Sequence, residues 1–190
     1  MNKVTVVGAG LAGCEAAWHL AEQGFQVTLC DIKPKSFTPA HSNPDFAELV
    51  CSNSLKSNDV FGNACGLLKQ EMRVLGSLTM AAAEQSAVPA GGALAVDRER
   101  FAHIITQKIK QHKNIEIVCK EVGSVPAAPA IVATGPLTAG ALAGDIASVT
   151  GGGLHFYDAS APIVSADSID MLHAFSGGRY GRGDDYINCP

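Results

Sequence analysis

With 190 residues, 47% of them hydrophobic and 17% charged, the chain can build one real core, or a core and a small lobe, and is neither disordered nor fibrous. Its net charge of −4 excludes nucleic-acid binding through a broadly basic surface, so any nucleic-acid partner has to be met by a local patch. Six cysteines without a CxxC pair argue against a zinc site and no metal is expected, while Cys14, Cys30 and Cys119 lie in apolar runs as core fillers, which suits a reducing cytoplasm. The apolar run Val4 to Leu11 after Lys3 is too short and too glycine-broken for a signal peptide, and no stretch approaches a membrane span.

In chain order, Val4-Thr5-Val6-Val7 reads as a buried parallel strand. Leu11, Cys14, Ala17, Trp18 and Ala21 then recur at helical spacing up to Gly24, and Phe25 to Cys30 reads as a second strand ending at Asp31. Between the first strand and the helix stands Gly8-Ala9-Gly10-Leu11-Ala12-Gly13. In this strand–turn–helix–strand–acid setting the G-x-G-x-x-G pattern points to a dinucleotide. Gly8 permits the tight turn, Gly10 lets a pyrophosphate approach the backbone, and Gly13 lets helix pack on strand. The helix N-terminus offers free N–H groups to phosphate, and Asp31 can accept from ribose hydroxyls. The motif alone does not separate FAD from NAD.

Residues 33–60 lose periodicity, and a loop this long points to function. Within it lies Glu48-Leu49-Val50-Cys51-Ser52-Asn53-Ser54-Leu55-Lys56-Ser57, with a short helical turn expected around Asp45 to Val50. Cys51 sits among polar residues and is the cysteine expected to be reachable. Ser52, Asn53 and Ser54 either orient a ligand or cap the loop, and His41 is open to the same two readings. Gly66 to Leu75 is expected to be helical, with Leu67, Leu68, Met72 and Leu75 on the buried face and Lys69, Glu71 and Arg73 at the surface. A second helix is expected over 78–86, a turn over 89–92 and a strand over Ala93 to Val96. Asp97 is a suitable N-cap for a helix burying Phe101, Ile104, Ile105 and Ile109. Its Arg98, Arg100, Lys108 and Lys110, with Lys113 beyond, form a solvated face, the alternative being a phosphate-binding patch. Strands are expected over Ile115 to Val122 and Ala130 to Ala133, the latter closed by Thr134-Gly135, where the backbone would approach a cofactor. Leu154 to Asp158 reads as a strand, Ser168 to Met171 as the start of a short helix, and Arg179 to Gly183 as a basic, aromatic surface loop, the alternative being contact with phosphate or base.

At this point the chain resembles the N-terminal part of the TrmFO family, the folate- and FAD-dependent tRNA (uracil-5-) methyltransferases of bacteria. The matching blocks are Gly8 to Ala17, Thr38 to His41, Glu48 to Ser57, Pro89 to Arg98, Ala133 to Thr138, Phe156 to Ala159 and Asp185 to Pro190. The Glu48 block is much more specific than the glycine pattern, and the related GidA-type flavoproteins share the nucleotide-binding parts. The family usually has a glutamate and an arginine–proline pair after the second strand, where this chain has Asp31-Ile32-Lys33-Pro34; Asp31 is one methylene shorter and still reaches a ribose.

The resemblance implies a Rossmann-like α/β domain of the two-dinucleotide flavoprotein type. FAD would be bound through Gly8, Ala9, Gly10, Leu11, Ala12, Gly13, Asp31, Thr134 and Gly135. Methylenetetrahydrofolate and NAD(P)H are implied as co-substrates, and the T-loop uridine 54 of tRNA as the target. Cys51 matches the family's nucleophile, which adds to uracil C6. Family members run to more than twice this length, so the chain is expected to be a partial FAD-binding domain. Its expected parts are a βαβ unit at 3–31, a loop and helical excursion at 33–96, a helix and strands at 97–135 and the start of a second lobe at 151–190. Two other readings stay open: a flavin or NAD(P)H oxidoreductase that does not act on RNA, and an inactive nucleotide-binding remnant.

Overall fold

The computed structural model describes residues 3–152, 165–177 and 187–188. Its centre is a four-stranded parallel sheet. β1 (Lys3–Val7) leads through α1 (Leu11–Glu22) to β2 (Gln26–Asp31), and β2 pairs in parallel beside β1 with Val6 opposite Leu29. β-branched residues make β1 a stiff buried strand. Cys14, Ala17 and Ala21 form the small-residue stripe that lets α1 lie close on the sheet. Leu11, expected on that stripe, is 36% exposed and stands at the first position of α1, beyond the carboxyl end of β1.

Residues 33–96 return to no parallel strand. They build a small antiparallel sheet, in which β3 (Ser54–Ser57) and β4 (Ala87–Val88) flank β5 (Ala93–Val96). α2 (Ala64–Val74) and α3 (Leu78–Gln85) lie between its strands. Asp97 then caps α4 (Arg98–Gln111) by accepting from the Arg100 amide at 2.9 Å. Phe101, Ile105 and Ile109 on α4 are wholly buried, and Ile104 packs partly against the same core. α4 delivers the chain to β6 (Ile115–Cys119), which pairs with β2, and later to β7 (Ala130–Val132), which pairs with the other side of β1. In the strand order β6-β2-β1-β7 the sheet is built outward from β1 first to one side and then to the other, so the strand order reverses between β1 and β7. In open parallel sheets ligands bind at the carboxyl ends of strands at such a point. The remainder comprises α5 (Gly140–Thr150), a single 3-10 turn at Ala166–Ser168, and the two-residue pair β8 (Phe175–Ser176) with β9 (Ile187–Asn188).

Several expectations are corrected. No helical turn forms over 45–50; Glu48 there gathers the loop's amides on its side chain instead. The expected strand at 115–122 stops at Cys119, where the Lys120 amide takes the last carbonyl of β2, that of Asp31, at 2.9 Å. The expected helix at 168–171 is replaced by the turn at Ala166–Ser168. Cys119, on an edge strand, is half-buried, unlike Cys14 and Cys30. The expected strand at 154–158 and basic loop at 179–183 lie outside the described residues.

The largest correction concerns α2. Its Leu67 and Leu68 are 50% and 57% exposed, and Leu75 beyond its end is 70% exposed, while Lys69 is 6% exposed. The helix is rolled by the approach of residues 57–59. A side chain at Gly66 would strike the Asp59 backbone, and Lys69 Nζ donates to the Ser57 and Cys65 carbonyls at 2.8 and 2.9 Å. Burial is the main cause that holds the Lys69 pKa below its ordinary value.

Candidate functional site

Two elements meet at the carboxyl ends of β1 and β7. The first is the glycine loop. Gly8 has φ +97, and a Cβ there would stand 2.5 Å from the Ala133 carbonyl oxygen and 2.9 Å from Thr134 Cα. A Cβ on Gly13 would overlap the Gly8 carbonyl oxygen. Both glycines are therefore demanded by backbone packing: Gly8 against the end of β7, Gly13 against the turn itself. Gly10 differs. A Cβ there would meet nothing within 4 Å, so the backbone faces open space. Gly10 also caps α1 without any side-chain hydrogen bond. The first-turn N–H groups of a helix have no intrahelical partners, so Leu11, Ala12 and Gly13 present theirs to that space. The arrangement is a cradle that could hold a phosphate group, and the residues present fit a dinucleotide.

Asp31 closes the loop from β2. Its Oδ2 accepts from the Ala9 amide at 2.6 Å and its Oδ1 from the Lys33 amide at 2.8 Å. Each carboxylate oxygen has a second lone pair, so Asp31 can hold the loop and still accept from a sugar hydroxyl. Across the cradle Ala133 N–H donates to the Val7 carbonyl at 2.7 Å, and Thr134 and Thr138 share a hydroxyl hydrogen bond of 2.6 Å. Gly135 has φ +75, the left-handed region that favours glycine. Val132, Thr134, Gly135 and Thr138 also line a cavity of about 320 Å³ under α5.

The second element is the cysteine loop. Phe46, Ala47 and Leu49 are buried in the core, and the Ala47 amide donates to the Ala9 carbonyl at 2.9 Å. The Phe46 amide is satisfied by Thr106 Oγ1 on α4 at 2.7 Å. The chain then emerges, and Cys51 is exposed on a bend. Beyond it Asn53 is pinned to β5: its Nδ2 donates to the Val96 carbonyl at 3.2 Å and its carbonyl accepts from the Val96 amide at 3.0 Å. Arg98 Nη1 lies 3.5 Å from the Val50 carbonyl.

The polar neighbours take part in loop structure. Ser52 Oγ accepts from the Ser54 amide and Ser54 Oγ from the Lys56 amide, at 3.0 and 3.2 Å. His41 is bound within its own turn, Nδ1 to Thr38 Oγ1 at 2.5 Å. Two residues unread from the sequence matter more. Lys33 Nζ donates to Glu48 Oε2 at 2.7 Å and to the Asp45 carbonyl at 2.9 Å. Glu48 Oε1 accepts from the Ser42 and Asn43 amides at 3.0 and 3.2 Å. Burial raises the Glu48 pKa, but the hydrogen bonds from Lys33, Ser42 and Asn43 outweigh it, and the group titrates below the ordinary glutamate range. Nothing in the spacing of the sequence pairs Lys33, two residues after Asp31, with Glu48.

A model of the glucose inhibited division protein A family matches residues 3–190. The chain belongs to that family. It is 58% identical over 193 residues to a methylenetetrahydrofolate–tRNA-(uracil-5-)-methyltransferase TrmFO of Acetivibrio thermocellus, and 58% identical over 192 residues to one of Geotalea uraniireducens. All of this chain is matched in both, but only 44% of each relative, so the chain spans less than half their length. Among solved structures, GidA of Aquifex aeolicus shares the fold with a TM-score of 0.52 at 19% identity, over 67% of this chain and 21% of that one. The family's Rossmann-like α/β fold is thus the one seen here. Among the described residues no helix is long and apolar enough to cross a membrane.

Proposed function

We propose that these residues form the FAD-binding, nucleophile-bearing N-terminal part of a methylenetetrahydrofolate-dependent tRNA (uracil-5-) methyltransferase. The observation that carries the reading is the docking of the cysteine loop on the dinucleotide loop through Ala47 and Ala9, with Cys51 exposed four residues on. The TrmFO naming of the relatives supports the substrates, and the glycine cradle supports the dinucleotide. FAD, reduced by NAD(P)H, would supply transfer of the one-carbon unit from methylenetetrahydrofolate together with the reducing electrons.

The chain's own part is to hold and activate. The amides of Leu11, Ala12 and Gly13 would receive the pyrophosphate, Asp31 the ribose hydroxyls, and the Thr134–Gly135 backbone would line the cofactor's far side. Cys51 Sγ, as thiolate, would add to C6 of uridine 54 in the tRNA T-loop. The electron pair of the C5–C6 double bond then becomes available at C5, which would bond the one-carbon unit as that carbon's bond to its carrier nitrogen breaks, the two reducing electrons bringing the transferred carbon to the methyl level. Loss of the C5 proton to a base and departure of Cys51 from C6 restore the double bond. A thiolate suits this role because it is a soft nucleophile and a good leaving group.

The test is covalent trapping. Full-length protein incubated with 5-fluorouracil-containing tRNA is expected to give a denaturation-stable adduct that Cys51→Ala abolishes. An adduct that persists in the variant removes Cys51 from the role. A flavin-loaded protein with no tRNA adduct at all would favour a flavin oxidoreductase.

A further inference from the structure

Lys33 and Glu48 form an ion pair of 2.7 Å whose side chains are 9% and 13% exposed. Such a pair is weak evidence for stability, because desolvating two charges offsets their attraction. Its place in the fold suggests another use. The Lys33 amide binds Asp31, Asp31 binds the Ala9 amide, the Ala9 carbonyl binds the Ala47 amide, and Ala47 is joined through Glu48 to the Lys33 ammonium. The contacts close a ring that passes through both the cofactor loop and the cysteine loop. Ala47 has φ 52, a left-handed conformation that a residue with a Cβ holds only when its surroundings impose it. Glu48 also gathers Ser42 and Asn43, so the loop before Cys51 is tied at both ends to one carboxylate.

We propose that the Lys33–Glu48 pair is a positioning latch that couples dinucleotide occupancy of the glycine loop to the placement of Cys51. The inference rests on the flavin reading above, but not on the RNA one. A dinucleotide that engages Asp31, a ring member held to the Ala9 amide, and the amides of Leu11, Ala12 and Gly13 just beyond Ala9 bears on the ring at Asp31 and Ala9, and through the Ala9 carbonyl on Ala47 and Glu48. Coupling of this kind is reciprocal: the loop that carries Cys51 must in turn set the dinucleotide affinity.

The experiment measures alkylation of Cys51 by iodoacetamide, read at the Cys51 peptide by mass spectrometry, with and without saturating FAD. Full-length protein is used, and FAD uptake is followed by flavin absorbance. FAD is expected to slow alkylation about fivefold or more, the lower range of typical site–site coupling. In Glu48→Gln the protein should still take up FAD at higher concentration, but the ratio of the two rates should fall toward one. Lys33→Gln should do the same and stands in for Glu48→Gln should that variant not fold; Lys33→Arg should keep the ratio. A merely structural role would lower stability and leave the ratio unchanged. The same FAD effect in both neutralised variants overturns the latch while the flavin reading stands. Failure of the unmodified protein to take up FAD overturns both.

Discussion

Glu15 offers the sharpest test of how the helices are locked together. It projects from α1 to the start of α3, where Oε1 accepts from the Leu78 amide at 3.2 Å and Oε2 from the Thr79 amide and hydroxyl at 2.8 and 2.6 Å. His19 lies 3.2 Å from the same carboxylate, whose side chain is 19% exposed. Burial raises the Glu15 pKa, yet the Thr79 hydrogen bonds and His19 outweigh it and hold the group below its ordinary range. Glu15 thus acts as a second cap on a helix whose Leu78, Met80, Ala82 and Ala83 are buried. Hydrogen bonds to a charged group contribute about 1.5–3 kcal/mol each, and a charge at a helix terminus about 0.3–1 kcal/mol. Glu15→Gln keeps one acceptor oxygen but turns an amide donor toward another donor, so about 2 kcal/mol should be lost. Glu15→Ala leaves both amides without the carboxylate and should cost about 3–4 kcal/mol. For a chain of this size these losses correspond to roughly 4–8 °C and 6–16 °C in Tm. Urea unfolding followed by circular dichroism measures the difference, and Thr79→Val, which removes one hydrogen bond to the carboxylate, should lose about 1.5 kcal/mol or more. If Glu15→Ala lies within about 0.5 kcal/mol of the unmodified protein, the ordinary range for a surface change, Glu15 is not a cap and the reasoning fails.

Gly13→Ala should abolish flavin retention and destabilise the fold by more than the usual 1–3 kcal/mol of overpacking, because the new methyl meets the fixed Gly8 carbonyl rather than a side chain that can swing away; flavin absorbance of the purified protein and its urea midpoint report both. Acid should weaken the fold with a definite sign. Glu15 and Glu48 titrate below their ordinary value when folded, so their contribution is complete above the unfolded value of about 4.3 and is lost as pH falls through the folded ones. The urea midpoint should therefore drop between pH 5 and pH 3, and less steeply in Glu48→Gln; an equal drop in that variant would remove Glu48 as a source.

The βαβ unit was legible because its signals are local. A β-branched strand, a stripe of small residues, two glycines with no room for a Cβ and a closing acid all act within about thirty residues. The Asp97 cap and the buried face of α4 were legible for the same reason. What failed depended on distant partners. Ser54–Ser57 has no strand pattern of its own and becomes β3 only because β5 arrives some forty residues later to pair with it. α2 has a clear apolar stripe, but tertiary contacts override it: the chain at 57–59 packs on the Gly66 and Lys69 side and leaves Leu67, Leu68 and Leu75 facing outward. α5, built from alanine and glycine with only Leu142 buried, gave no periodic signal. Cys51 could be singled out by its polar setting, but the pairing of Lys33 with Glu48 crosses fifteen residues of irregular chain and left no trace in spacing.

The anchoring of the Cys51 bend sets a limit on travel. Leu49 is held in the core on one side, and Asn53 is fastened twice to Val96 on the other. Only Val50, Cys51 and Ser52 lie between, and an extended chain spans at most about 3.6 Å per residue. The Cys51 Cα is thus tethered within about 7 Å of each fixed point. A thiol on so short a leash cannot commute between two stations. In the proposed role of Cys51, its target has to be delivered to it, and for a base in a nucleic acid that means the whole journey out of the stack is made by the base.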